Sequence, residues 1–512
     1  MKKAFCLYPS FFPINYPSFT GTFPVAIDLY VDHLHGHFTG KHIPENQDMR
    51  ISKKFCCLLT GLLTTACSYA QQQNNTPVSL KALLSSVNQN APTLLTDSTA
   101  IAIKQAEAAE TRSSWLPNLK LNYQADYGTN NNVAGPYFGF SIIPSDSRGV
   151  RAESNTTTVS ANVGVAALDW EIYNFGAYGA QNKVAGSDIQ VQQNQFADSK
   201  YQLQAYAIGN YLLLMKLENF LTIQARNIKR NQEIRRSVQS LAKSGVRAGV
   251  DTSIAEAELS KARLNYIELN NQVKQVQLQL SAISGLPYQT IVPDTAAETN
   301  LINTATGLEP LVIDTTNHPL INYYKSVYQN SLQRETLVKK SYNPKILLEG
   351  AVWGRGSSVD ANDHFNSLSS GWGFDRNNYL VGIGISYNLF DLRRKQLKLR
   401  TQRANTDYTL RKLDEQKQLL AISANRSGVE LQTARERLVE IPHQLKAATD
   451  GYRQKLSLYK NGLTDIIELN AALNILYRAE TDYVQAKYAY SNALFQQAVT
   501  GNQVNTVLNL LK

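Results

Sequence analysis

Two constant offsets run through this chain. Asn90-Ala91-Pro92 returns as Asn317-His318-Pro319, and Trp115-Leu116-Pro117 as Tyr342-Asn343-Pro344, both 227 residues later. Further on, Trp170-Glu171-Ile172-Tyr173-Asn174 aligns with Tyr387-Asn388-Leu389-Phe390-Asp391, and Gly245 and Asp251 align with Gly462 and Glu468, now 217 residues apart. The drop in offset predicts a loop ten residues shorter in the second half, lying between strands. One supersecondary unit used twice explains both offsets. The two repeats are expected over 71–300 and 301–503, with a tail at 504–512.

Each repeat reads as helix, strand, loop, strand, very long helix, tight turn and shorter helix. Strands are expected near 118–128, 158–169, 345–354 and 379–389. In the first, Leu119, Leu121, Tyr123, Ala125 and Tyr127 alternate with Lys120, Asn122, Gln124 and Asp126. A period of two with one apolar and one polar side suits a half-buried sheet or a strand between lipid and a watery lumen. Val159, Ala161, Val163, Val165 and Ala167 form the returning strand, after an Asn/Gly/Ser/Pro-rich loop over 128–158. In the second repeat Tyr379, Val381, Ile383, Ile385, Tyr387 and Leu389 alternate with Gly382, Gly384, Ser386 and Asn388. Ile346, Leu348 and Val352 mark the partner strand, whose pattern Leu347 and Trp353 blur. Four strands are too few to close a barrel, which takes about eight, so several chains are expected to share one. Tyr123, Tyr127, Trp353, Tyr379 and Tyr387 are candidates for interfacial belts. Trp170 and Phe390 are expected to pack where strand passes into helix.

Residues 176–243 contain no proline and no turn signal, and at 1.5 Å per residue predict a helix about 100 Å long. The counterpart over 391–460 carries Pro442, which is expected to kink or interrupt it. Helices of that length must lie against neighbours. The shorter helices, 252–284 and 464–500, show how: Ala255, Leu259, Ala262, Tyr266, Leu269, Val273, Val276, Leu280 and Ile283 step by four and three. Adding 217 gives Ala472, Leu476, Ala479, Tyr483, Ala486, Tyr490 and Ala493.

Composition narrows the function. All four cysteines and four of the seven histidines precede residue 70, leaving His318, His364 and His443 in the body of the chain. A Cys/His metal centre, a disulfide framework and a cysteine nucleophile are therefore not expected there, nor a cofactor. His318 reads as a turn residue, His364 as a loop residue and His443 as a helix residue, so no catalytic constellation forms. The formal charge of +10 is spread along helices, as at Arg226, Lys229, Arg230, Arg235 and Arg236. That reads as a solvated face, and no nucleic-acid partner is expected. Met49 to Lys54 is basic, Phe55 to Leu63 is apolar, and Ser68-Tyr69-Ala70 supplies small residues at a cleavage site. This is the order of a secretory signal peptide over 49–70; Met49 is the expected start, with 1–48 an upstream non-native extension, and a genuine N-terminal extension from Met1 is the alternative. Cys67, after Leu63-Thr64-Thr65-Ala66, is a candidate lipidation site.

An exported chain with two tandem halves, amphipathic strand pairs and helices near 100 Å resembles the TolC family of outer-membrane channel proteins over residues 78–502. The resemblance implies an α+β membrane protein: a homotrimer with a twelve-strand outer-membrane β-barrel, four strands per chain, continuous with a long periplasmic α-helical barrel. It implies a passive, non-enzymatic exit duct of a tripartite efflux or type I secretion system in a Gram-negative outer membrane. Outer-membrane lipid, a periplasmic adaptor and an inner-membrane pump of RND, ABC or MFS type would be its partners. The alternative is a periplasmic coiled-coil adaptor or scaffold without a pore.

The resemblance also places the periplasmic tips. Gly245, Val246, Arg247 and Gly249 in the first, with Gly462, Leu463, Thr464 and Asp465 in the second, would meet the adaptor. Asp251 and Glu468, each six residues past a tip glycine, would line the constriction, Asp251 serving equally as a helix cap. Relatives carry a second carboxylate three residues after the latter, where this chain has Ala471.

Overall fold

The computed structural model describes residues 77–131, 152–294 and 317–509. The leader, Cys67, most of the 128–158 loop and the boundary near 300 lie outside them. Two short helices open the described chain, α1 (Leu80–Asn90) and α2 (Pro92–Ser113). Strands β1 (Asn118–Thr129) and β2 (Thr158–Tyr173) lead into α3 (Ala177–Lys243) and α4 (Val250–Ser284). Then come α5 (Pro319–Ser341), β3 (Lys345–Ser357), β4 (Arg376–Ser386), α6 (Asp391–Lys460), α7 (Ile466–Thr500) and the short α8 (Val504–Leu508). The 67 and 70 residues of α3 and α6 make each about 100 Å long. None of the described helices is long and apolar enough to cross a membrane.

The four strands form one antiparallel sheet in the order β1-β2-β3-β4. Its ladders assign the faces. Tyr123 opposes Gly164, which opposes Gly354, and Val352 opposes both Ala166 and Tyr379. One face therefore carries Leu119, Leu121, Tyr123, Val352, Tyr379, Val381, Ile383 and Ile385. The bulky side chains on it are exposed in the single chain, Leu121 at 78% and Tyr379 at 82%. The other carries Lys120, Asn122, Gln124, Asp126, Glu349, Arg355, Arg376 and Asn378.

The returning strand does not follow its own pattern. Val163 and Val165 oppose Gln124 and Asn122, so the alternating apolar residues of β2 lie on the polar face. The apolar face receives Leu168 and Ala166, then Gly164, Asn162 and Ser160. Trp353 opposes Val165 and Asn378 and also lies on the polar face, away from Tyr123 and Tyr379. It does not join an aromatic belt with them.

The small residues of β2 have a cover. The β3–β4 connection, with a 3-10 turn at Leu368–Trp372, folds back over them. The Asn162 side-chain amide donates to the Trp372 carbonyl at 2.7 Å, and the Ser160 hydroxyl donates to that of Leu368. Phe374 lies across Gly164 and Gly354, where an added Cβ would come within 2.8 Å of its ring. Tyr123 meets the same ring edge-on at 6.4 Å.

At the far end of the sheet Trp170 packs edge-on against Trp115 at 5.1 Å and donates its indole N–H to the Trp115 carbonyl. Phe390 does not pack as expected. It is 82% exposed on the N-terminal side of α6, with only its backbone N–H held, by the Asn388 side chain. The turn into α3 uses left-handed backbone at Phe175 and Gly176.

Pro442 does not interrupt α6, which runs unbroken from Asp391 to Lys460. An internal proline removes one hydrogen bond. Here the turns on both sides are anchored: Leu438 packs on one buried cluster, and Leu445 and Ala448 join a second. The seam of α4 is buried at Ala255, Leu259, Ala262, Val273, Val276 and Leu280, with Leu269 and Ile283 partly buried against the core. Tyr266 is exposed. In α7, Leu476, Ala479, Ala486, Tyr490 and Ala493 are buried. His318 is more than a turn residue: it is 5% exposed, its Nδ1 accepts from the Leu320 N–H, and its Nε2 faces the Val499 carbonyl at 3.2 Å. That contact ties the start of α5 to the end of α7.

Candidate gating site at the helical tips

Both helix-to-helix turns are built alike. In the first, the Gly245 N–H donates to the Ala242 carbonyl and that of Val246 to Leu241; in the second, Gly462 donates to Tyr459 and Leu463 to Leu458. These paired bonds close the end of a helix when the residue after it adopts left-handed backbone. Gly245 and Gly462 have φ of 74° and 76°. No heavy atom lies within 4 Å of an added Cβ at either, so conformation, not space, requires glycine.

The helices leaving the turns begin differently. Asp465 caps α7, its carboxylate accepting from the Glu468 N–H at 2.8 Å. Gly249 precedes α4 and supplies no side-chain cap. Asp251 sits in the first turn of α4 and is not the cap; its own N–H donates to the Ala248 carbonyl. Its carboxylate lies in the field of Tyr459, whose hydroxyl is pushed above its usual range by burial first and by Asp251 second.

Tyr459 is central to the site, and the sequence did not mark it. It is fully buried in a cluster joining all four long helices: Ile234 and Val238 of α3, Ala255 of α4, Ala448 and Tyr452 of α6, and Ile466 and Leu469 of α7. Among the described residues its hydroxyl has no hydrogen-bond partner. The Arg247 guanidinium lies 5.3 Å from its ring centre and donates to the Thr464 carbonyl. One cation thus ties the first tip to the second.

Glu468 is not a free charge. Its carboxylate accepts from Lys455 on α6 and from the Thr464 hydroxyl at 3.1 Å. Those bonds hold it below the ordinary carboxylate range, Lys455 contributing most. Lys455 is thirteen residues before Glu468, across the turn, where no local spacing reveals it. Deeper in the pair, buried Glu480 of α7 receives a two-pronged contact from Arg230 of α3 at 2.7 and 2.8 Å. Around this polar network the tip surface is apolar, with Val246, Val250, Leu463 and Ile467 all exposed.

Residues 83–286 and 334–497 match the family described as outer membrane efflux protein. No curated protein sequence matches the chain. Solved channels share the fold. The outer membrane protein VceC of Vibrio cholerae is 12% identical with a TM-score of 0.64, over 82% of this chain and 96% of its own. The outer membrane channel CmeC of Campylobacter jejuni is 14% identical with a TM-score of 0.65, over 83% and 86%. The open state of the MtrE outer membrane channel of Neisseria gonorrhoeae is 16% identical with a TM-score of 0.59, over 83% and 89%. With the family match spanning more than two thirds of its length, the chain belongs to the outer membrane efflux proteins, the TolC-like channels.

Proposed function

We propose that this protein is the passive exit duct of a tripartite efflux or type I secretion assembly, working as a homotrimer whose subunits are two tandem repeats. Membership of the family makes it an outer-membrane channel protein with its helical part in the periplasm. The observation that carries the finer reading is the sheet: four strands, an exposed apolar face, and two edges, β1 and β4, with no strand partner among the described residues. Hydrocarbon tolerates strands only when every backbone group is paired, which requires closure. Three copies supply twelve strands.

In this reading the adaptor docks on the exposed apolar residues around Gly245 and Gly462, and the pump behind it is of RND, ABC or MFS type. Asp251 and Glu468 flank the constriction. Glu468 is ionised at neutral pH, but Lys455 offsets it, so the entrance is less negative than carboxylates alone would make it. The tie between Arg247 and Thr464 keeps the two tips together in the closed duct, and opening requires its release. The test is single-channel conductance of the detergent-purified protein in a planar bilayer, with its oligomeric mass. A trimer giving discrete conductance steps is expected. A water-soluble species without conductance overturns the duct in favour of a periplasmic scaffold.

A further inference from the structure

The apolar sheet face is not uniformly bulky. Between the Leu121/Tyr123 side and Val352 its floor drops to Ala166, and Phe374, seated on Gly164 and Gly354, walls one end. The result is an outward-opening groove of about 410 Å³ whose lining includes no charged side chain. Asn122 and Asn377 are its polar members, and the rest of the lining is apolar or glycine. The groove is continuous with the exposed belt of Leu121, Val381 and Ile383. It lies toward the loop end of the sheet, since Phe374 stands two residues before the start of β4. A side chain at Gly164 or Gly354 would displace Phe374, so the two glycines set the position of the end wall.

We propose that the groove beside Phe374 binds one acyl chain of a membrane lipid. This rests on the apolar face meeting lipid, as in the proposed barrel. The chain lies over Ala166 between Leu121 and Val352, with its end against the Tyr123 and Phe374 rings. With no charge in the lining, selection is for an acyl chain and not for a headgroup.

The test uses full-length trimer in detergent, incubated with palmitoyl-oleoyl phosphatidylethanolamine and weighed by native mass spectrometry. Wild type is expected to keep one firmly held lipid per protomer. Ala166→Phe, filling the groove from its floor, and Phe374→Ala, removing the end wall, are each expected to lose it while remaining trimers. Val381→Phe, on the same face outside the groove, keeps it. Equal retention by all four proteins overturns the proposal, because only ordinary surrounding lipid is then being counted. A trimeric wild type that keeps none, with Ala166→Phe weakening the trimer, overturns it in favour of a neighbouring copy filling the groove. A wild type that never enters detergent micelles sinks the barrel reading itself.

Discussion

The two helical tips share a turn and differ in almost everything attached to it. Each ends its long helix with a glycine near φ 75° and the same pair of backbone bonds. The second tip then caps its outgoing helix with Asp465 and surrounds Glu468 with Lys455 and Thr464. The first has an uncapped Gly249 and sends Arg247 across to its neighbour. The turn is fixed by backbone geometry, which allows one solution, whereas the polar attachments are free to vary. Beside its turn the second tip is held from within its own hairpin; the first hairpin has its own ion pair deeper down, Arg235 with Glu256, but beside its turn reaches to the second through Arg247.

That asymmetry can be broken by substitution. Arg247→Ala removes the only described bond between the tip loops and leaves a charge-accepting carbonyl unpaired, at a cost of about 2 kcal/mol. Amide exchange across 241–251 should quicken more than across 458–468, and conductance should rise. Equal protection of both tips would show that the first holds itself. Gly245→Ala and Gly462→Ala should each cost about 1–2 kcal/mol, since an L-residue is forced into left-handed backbone. Matching losses, read as local exchange, confirm that the turns are equivalent; a silent variant at either one breaks the likeness.

Smaller effects sharpen the contrast at the caps. Asp465→Ala should lose about 1 kcal/mol of local stability with its capping bond. Gly249→Ala should instead gain up to about 1 kcal/mol, because φ −58° suits alanine and the unfolded chain is stiffened. Opposite signs are the expected result, and matching signs would refute the difference. The smallest effect is that of pH. The folded-state pKa of Glu468 is depressed, so its stabilisation is present above the ordinary value of 4.5 and is lost as pH falls through the lower folded value. Protection of the second tip should decline on acidification in wild type but stay flat in Glu468→Gln.

The elements were readable because their signals are local. Long helices without breakers and glycines closing them set α3 and α6 within a residue or two of expectation. Sheet faces were harder. Alternation says which residues of one strand share a side, but only register says which side that is on the neighbour. Thus Val163 and Val165 align with Gln124 and Asn122, against their own pattern. The tip glycines could be read from the repeat spacing, but the capping role of Asp465 was expected of Asp251 instead, and Lys455 and Tyr459 gave no signal, since their roles arise only when two helices fold against each other. Buried His318 and exposed Phe390 fail for the same reason: contact with distant chain decides burial. Pro442 obeys its local rule by losing a bond, yet packing on both flanks carries the helix past it.

The unpaired edges of the sheet have a genetic consequence. β1 and β4 are 12 and 11 residues long, and each presents a row of backbone groups that hydrocarbon would leave unsatisfied at several kcal/mol apiece. In the proposed trimeric barrel a lone protomer would therefore be barred from the bilayer, and an incomplete ring would meet the same barrier at every gap. A copy defective in one edge strand removes its healthy neighbours from use as well as itself. Lesions confined to β1 or β4 should thus act dominantly in a cell that also makes the intact protein.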